Sequence, residues 1–421
     1  MPGPLEGLRV IEFATAIQGP AVGLYFANMG ADVIKVEPPM GDPNRYHRGV
    51  NNSLPADALG SQFLAMNKGK RSISLDVHTD LGKAVLDKLI AGADVFVSNY
   101  RASALTRMGF DLNAVTTRYP KLIVGHANGF GPRGNEAEKA MLDGAAQARG
   151  GLASLSGPAG ATPMPPGATI ADTAGAMQLA LACATALVAR SITGRGQLVQ
   201  TSSLGAQLWL QMWELQHSAL TGTPLTREGS HHPNITGPYG VYTTADNVPI
   251  LYVASMTDDS WNTFWIFVDK PEVLLLEEWD SLGKRIGLSG VTTGVDELRQ
   301  HMQEAFGSKT MAEWETFFAS EPEIIWERVR SHDDVLTDPQ NLENGYIVDI
   351  ELPVTGKTKT VGTLMAFSDT PTIDPSAPPE LAAHTAEIMT DLGFSETEIE
   401  SVQTHAEAIR QEMFAAYFGE D

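Results

Sequence analysis

Five short β-rich runs alternating with helical patterns constrain the first part of the chain more than any other feature. "LRVIEF" (Leu8–Phe13) leads into a helical "PAVGLYFANMG" that stops at Gly30. "ADVIKVE" (Ala31–Glu37) is halted by Pro38-Pro39, and "RSISLDV" (Arg71–Val77) precedes an amphipathic "TDLGKAVLDKLIAGA" with Thr79 as its expected N-cap. "DVFVSNY" and "KLIVGHANGFG" complete the series. Strand–helix alternation of this kind predicts a parallel sheet covered by helices on both faces.

The chain has 421 residues, enough for two or three domains. Apolar residues make up 43% and charged residues 19%, the balance of a globular protein. Its net charge of −22 argues against nucleic acid or an anionic membrane as partner. The lone cysteine, Cys183, excludes an intrachain disulfide and fits a reducing, cytoplasmic location. No basic and apolar leader pattern opens "MPGPLEGLRVIEF". The run Ala174–Ala189 is short for a membrane span and carries Gln178 and Thr185, so it reads as a buried helix.

Several familiar chemistries are missing from the pattern. The first strand runs into "EFATAIQGPAVG", which lacks the glycine turn of a dinucleotide site, and no P-loop occurs. Adjacent His231 and His232 point to opposite sides of a strand and lack chelate spacing, so no metal site is expected. No G-x-S-x-G elbow is present.

One carboxylate stands out. Between Arg149 and Arg190 the sole charged side chain is Asp172, in "GATIADTAG" ahead of an apolar helix. Asp is a favoured N-cap, and capping alone explains such a residue. A helix N-terminus also keeps a carboxylate ionised and nucleophilic, and Gly175 allows close backbone approach. Further on, Gly205–Leu220 reads as one helix bearing Trp209 and Trp213, and "TPLTREGSHHPNITGPYGVY" (Thr223–Tyr242) as a long loop. All seven tryptophans lie at or beyond Trp209; they suit a larger or aromatic acid, or simply a core.

"LEGLRVIEF", "GADVIKVEPPMGDPNR", "NKGKRSISLD", "ADVFVSNYRASALTRMGF", "GATIADTAG", "TGRGQ" and "VLTDPQNLENG" occur in that order. With them the chain resembles the family III CoA-transferases, formyl-CoA transferase type, nearly end to end. The resemblance implies an α/β fold: a Rossmann-like parallel sheet in a large domain formed by N- and C-terminal parts. A smaller α+β domain is inserted, and two chains form an interlocked homodimer. Boundaries follow at residues 1–204 for the large CoA-binding part, 205–235 for a linker helix and loop, 236–330 for the small domain and 331–421 for the return.

The resemblance makes Asp172 the covalent nucleophile of transfer from an acyl-CoA to a carboxylic acid. Coenzyme A thioester is then substrate, with no tightly bound cofactor. It also implies CoA contacts at Ile17 and Gln18, at Leu75, Asp76, Val77 and His78, at Asn99, Tyr100 and Arg101, and at Arg107 and Lys139. Three positions depart from formyl-CoA transferase. Pro38 stands where that enzyme has an arginine that holds the nucleotide, which bears on the adenine-end contact, and Ile17 where it has an active-site glutamine. The loop "REGSHHPNITGPYG" lacks the glycine run that covers an oxalate-type site, so oxalate and formate are not expected substrates. The α-methylacyl-CoA racemases of the same superfamily need a histidine where this chain has Leu142 before Asp143, which removes half of an acid–base pair. A subunit of a hetero-oligomeric transferase and a nucleotide-binding module without chemistry are the other readings.

Overall fold

The computed structural model describes residues 2–288 and 294–418. The chain divides into two compact units. The first comprises residues 1–150, 168–210 and 336–421, the second residues 151–167 and 211–335.

The first unit is built on six parallel strands: β1 (Arg9–Phe13), β2 (Asp32–Glu37), β3 (Arg71–Ser74), β4 (Val95–Ser98), β5 (Ile123–Asn128) and β6 (Leu198–Ser202). Their order is β3-β2-β1-β4-β5-β6, so the chain reverses its direction of travel between β1 and β4. Successive residues of each strand enter opposite cores. Ile11, Ile34, Ile73 and Phe96 face a layer with Val85, Leu89 and Leu105. Val10, Val33, Val95 and Ile123 face a layer with Val22, Phe26, Leu179 and Cys183. Burial on both faces is why these strands read as nearly unbroken apolar runs. The C-terminal part closes the first layer with Ile388, Met389, Ile399 and Val402.

Thr79 caps the Asp80–Ala91 helix, its Oγ1 accepting the N–H of Gly82. The apolar helix runs from Ile170 to Thr193 and lies directly on the sheet. A Cβ at Gly125 would run into Cys183 Sγ at 2.7 Å, so only glycine in β5 permits that approach. The expectation of a buried helix is met on one face only. Ala176, Leu179, Cys183 and Ala186 are buried, whereas Met177, Leu181, Val188 and Ile192 are exposed. By length and composition this helix could cross a membrane, the only such helix among the described residues.

The second unit pairs β7 (Gly240–Thr243), β8 (Pro249–Ser255) and β9 (Ile324–Arg328) in antiparallel order. Its core takes up Trp261, Trp265, Trp279 and Trp314 with Tyr242 and Tyr252. Most of the tryptophan-rich composition is therefore packing. β10 (Ile347–Leu352) and β11 (Gly356–Val361) form a separate antiparallel hairpin within the first unit.

The units are drawn differently from the sequence division at 204, 235 and 330. Gly205–Leu220 is two helices, Ser203–Leu210 and Met212–Thr221, broken at Gln211. The first half stays with the sheet because Leu204 N–H bonds Gly129 O and Ser203 Oγ bonds Asp172. Residues 151–167 leave it because the Arg227 guanidinium holds the carbonyls of Ser154 and Ala161.

Candidate active site

A cleft of about 640 Å³ opens beyond the carboxyl ends of β1, β4 and β5. That is the switch point of the sheet, where open parallel sheets leave a crevice between diverging crossover connections. Its floor is the turn after β1. Asn99, just beyond β4, pins Thr15 from both sides, accepting its N–H at 3.0 Å and donating to its carbonyl at 2.7 Å. Ala16 is left-handed at φ 65°, and Ile17 and Gln18 line the cleft beside it.

The turn rests on a buried set of charges. Lys35 Nζ lies 3.0 Å from Glu12 Oε1 and 3.1 Å from Asp42 Oδ2. Lys70 meets Glu12 at 2.6 Å, and Arg45 pairs with Glu37 at 2.7 Å. Three cations thus meet three carboxylates, the condition under which buried charges are tolerated.

Asp172 occupies the third position of its helix and is 9% exposed. It does not cap the helix. Asp143 does: its Oδ1 accepts the N–H of Ala171 at 2.8 Å and of Asp172 at 3.1 Å. Gln147 Nε2 bonds the other oxygen and holds the carboxylate in place. Two carboxylates thus share one helix start. Burial, then the charge of Asp143, pushes the Asp172 carboxyl up to about 6, against a hydrogen bond from Ser203 Oγ at 3.2 Å. Desolvation and the like charge of Asp143 raise the basicity of Asp172, the opposite direction from the pull of a helix N-terminus.

His126 and Gln200 also line the cleft. His126 Nε2 donates to Tyr100 O at 2.9 Å, and Gln200 Nε2 donates to His126 Nδ1 at 3.1 Å. Burial holds the imidazole pKa below its usual value, so the ring is neutral and both nitrogens are engaged. Among the described residues no group of three or more His, Cys, Asp or Glu side chains is placed to hold a metal ion.

Comparison with known proteins decides what this cleft belongs to. The model of CoA-transferase family III matches residues 5–385. The chain belongs to family III of the CoA-transferases. Formyl-CoA:oxalate CoA-transferases of Escherichia coli O157:H7 and Shigella dysenteriae serotype 1 are 31% identical to it over 426 aligned residues, covering 96% of this chain and 100% of theirs. The crystal structure of a CAIB/BAIF family protein from Brucella suis superposes with a TM-score of 0.80 at 27% identity, covering 93% of this chain and 100% of that one. The Rv3272 structure from M. tuberculosis shares the fold, with a TM-score of 0.77 at 23% identity over 91% and 99% of the two chains.

For a family III CoA-transferase the cleft gathers part of the expected site. Ile17, Gln18, Asn99, Arg101, Lys139 and Asp172 line it together. Leu75 and Val77 are buried in the core, so their side chains are closed to a ligand. Asp76 is paired with His405 at 2.9 Å, and His78 N–H bonds the Asp76 carboxylate. Tyr100 packs its ring at a tilt against Phe13, and Arg107 sits exposed in the last turn of the Ala102–Met108 helix; neither lines the cleft. Sequence reasoning missed Asp143, Ser203, His126 and Gln200. The available signal for His126 was a polar residue near the carboxyl end of an otherwise apolar buried strand.

Proposed function

We propose that this family III CoA-transferase moves coenzyme A from an acyl-CoA to a carboxylic acid through covalent intermediates on Asp172. The observation that carries the reading is a nine-tenths buried carboxylate at the switch-point cleft, with its pKa raised to about 6. A group with that value is ionised at pH 7 and more basic than an ordinary aspartate, as a carboxylate nucleophile requires.

Asp172 adds to the thioester carbonyl, and collapse expels CoA thiolate and leaves a mixed aspartyl anhydride. The thiolate attacks the aspartyl carbonyl, releasing the donor acid and forming an aspartyl thioester. The acceptor carboxylate attacks that carbonyl, expels the thiolate and forms a second anhydride. Thiolate then captures the new acyl group and frees Asp172. No proton is consumed, and the thioester energy is conserved. Arg101 and Lys139 are cations at the cleft wall suited to phosphate, and we assign CoA to that wall. The remaining expected contacts, Leu75–His78, Tyr100 and Arg107, belong to the same proposal as a track beyond the cleft, reached at Leu75 and Val77 only through the backbone. The exposed stripe of Met177, Leu181, Val188 and Ile192 supports a homodimer, since a lone chain would leave it in water.

The test uses acyl-CoA without acceptor. Hydroxylamine is expected to convert one peptide to a hydroxamate at Asp172, and Asp172→Ala to lose roughly 10⁴-fold or more in kcat. A hydroxamate at Asp143, or an active Asp172→Asn enzyme, sinks the reading.

A further inference from the structure

The turn after β1 holds an alanine where the backbone favours glycine, and a buried carboxylate sits on its N–H. Among the described residues six non-glycine residues have positive φ, and four of them are Asn or Asp, which tolerate that region. Ala16 is one of the other two and forms part of the cleft wall. Asp42 is fully buried. Its Oδ2 accepts the Ala16 N–H at 3.2 Å, its Oδ1 accepts the Asn44 N–H at 3.0 Å, and Lys35 Nζ stands 3.1 Å from Oδ2. Its own N–H is fixed on Glu37 Oε2 at 3.0 Å. The carboxylate cannot swing away without breaking its bonds to Ala16, Asn44 and Lys35, so it is a rigid anchor for a strained turn.

Two residues beyond the clamp, the amide of Gln18 lies against the helix of Asp172. A Cβ at Gly175, three residues after Asp172, would run into Gln18 Nε2. That nitrogen is buried and has no hydrogen-bond partner within the chain. A buried donor left unpaired is costly, and such a group at a cleft is reserved for something that binds there. The turn thus brings the Gln18 amide to the helix of Asp172.

We propose that Asp42 is a positioning residue: by clamping Ala16 in its left-handed turn it aims the Gln18 amide at the acyl oxygen of the thioester beside Asp172. The inference rests on Asp172 as nucleophile. When Asp172 Oδ bonds to the thioester carbon, the carbonyl π electrons move to oxygen. Gln18 Nε2–H donates to that oxyanion until the carbon–sulfur bond breaks and the charge leaves with the thiolate. Gln18 touches the reacting atoms in this scheme; Asp42 acts only through the turn.

The test is a double-mutant cycle. Asp42→Ala is expected to lower kcat roughly 30- to 100-fold, the scale of a misplaced reacting group, with the KM for acyl-CoA within about threefold. In an Ala16→Gly background, where the turn needs no clamp, the same change should cost less than about fivefold. An equal cost in both backgrounds overturns the proposal. So does a loss confined to thermal stability, with kcat per folded enzyme intact. Because Asp42→Ala also opens a buried charge cluster, a second pair guards against a misfolded variant. Ala16→Asn and Ala16→Leu add side chains of similar size but differ in tolerance of positive φ. The leucine variant should lose at least about tenfold more kcat than the asparagine variant; equal losses overturn the proposal. Hydroxylamine trapping on the unaltered enzyme separates the two failures. Without a hydroxamate at Asp172 the nucleophile is wrong, and with one but no difference between the pairs the clamp is wrong.

Discussion

Asp143 accepts a hydrogen bond from the backbone N–H of Asp172 while its charge opposes ionisation of the Asp172 side chain. The same carboxylate therefore fixes the place of Asp172 and raises its basicity. On the proposed mechanism, acylation removes the Asp172 charge, so the repulsion would be present in the resting enzyme and relieved in each covalent intermediate.

The pH dependence follows. With the Asp172 carboxyl at about 6, kcat/KM for the acyl-CoA should rise as pH rises through about 6 and level off above 7. Asp143→Asn keeps an oxygen for both N–H groups but drops the charge, so its acidic limb should move to lower pH. Asp143→Ala also removes the cap, at about 1 kcal/mol of stability. An unmoved limb in the asparagine variant, read by initial rates from pH 4.5 to 8, refutes the coupling.

Stability should carry the opposite sign from activity. The folded carboxyl at about 6 lies above the ordinary 3.8. The buried acid is thus favourable below about pH 4, and that contribution is lost as pH rises through 6. The difference is on the order of 3 kcal/mol. Asp172→Asn, which never ionises, should therefore match the parent at pH 4 and melt at higher temperature at pH 8. A lower melting temperature than the parent at pH 8 contradicts this.

The sheet and the buried carboxylate of Asp172 stood out in the sequence for separable reasons. Strands buried on both faces leave apolar runs such as "VFVS", and a lone carboxylate in forty uncharged residues draws notice. Asp143 was not legible as the cap, because its partner N–H groups lie 28 and 29 residues on, a distance no local rule spans. Glu12, Lys35 and Glu37 sit inside strands, where single-chain patterning reads charge as solvent exposure. Only the tertiary pairing reveals them as buried.

Coenzyme A should depend on the cleft cations. Arg101→Ala and Lys139→Ala should each raise the acyl-CoA KM about tenfold or more, as for loss of a charge-assisted hydrogen bond worth roughly 1.5–3 kcal/mol, with a smaller change in kcat. Arg107→Ala reports how far the ligand extends. A KM effect there as large as at Arg101 carries the phosphates past the cleft rim to the end of the Ala102–Met108 helix. Unchanged KM in all three variants refutes the assignment.

Proton chemistry at the α-carbon should be absent. Leu142, exposed at the cleft beside Asp143, offers no acid or base. An α-methylacyl-CoA incubated with enzyme in D₂O should show no solvent exchange above background by mass spectrometry. Rapid exchange makes the racemase reading the better one.

Association should persist on dilution. Sedimentation at nanomolar concentration should show dimer alone, because the Met177–Ile192 stripe has to be covered. A folded monomer in reversible equilibrium contradicts the interlocked arrangement.

The sheet's two faces are completed at very different times in synthesis. One is covered by the Gln18–Asn28 and Ile170–Thr193 helices, both made in the first half of the chain. The other receives Val85, Leu89 and Leu105 early but is closed only by Ile388, Met389, Ile399 and Val402, some three hundred residues after Phe96. At roughly 5–20 residues per second, that last part of the second face stays open on the ribosome for about 15–60 s after β4 has emerged. Nascent chains of this protein should therefore bind holdase chaperones through that one face, and release them only when the last two helices arrive.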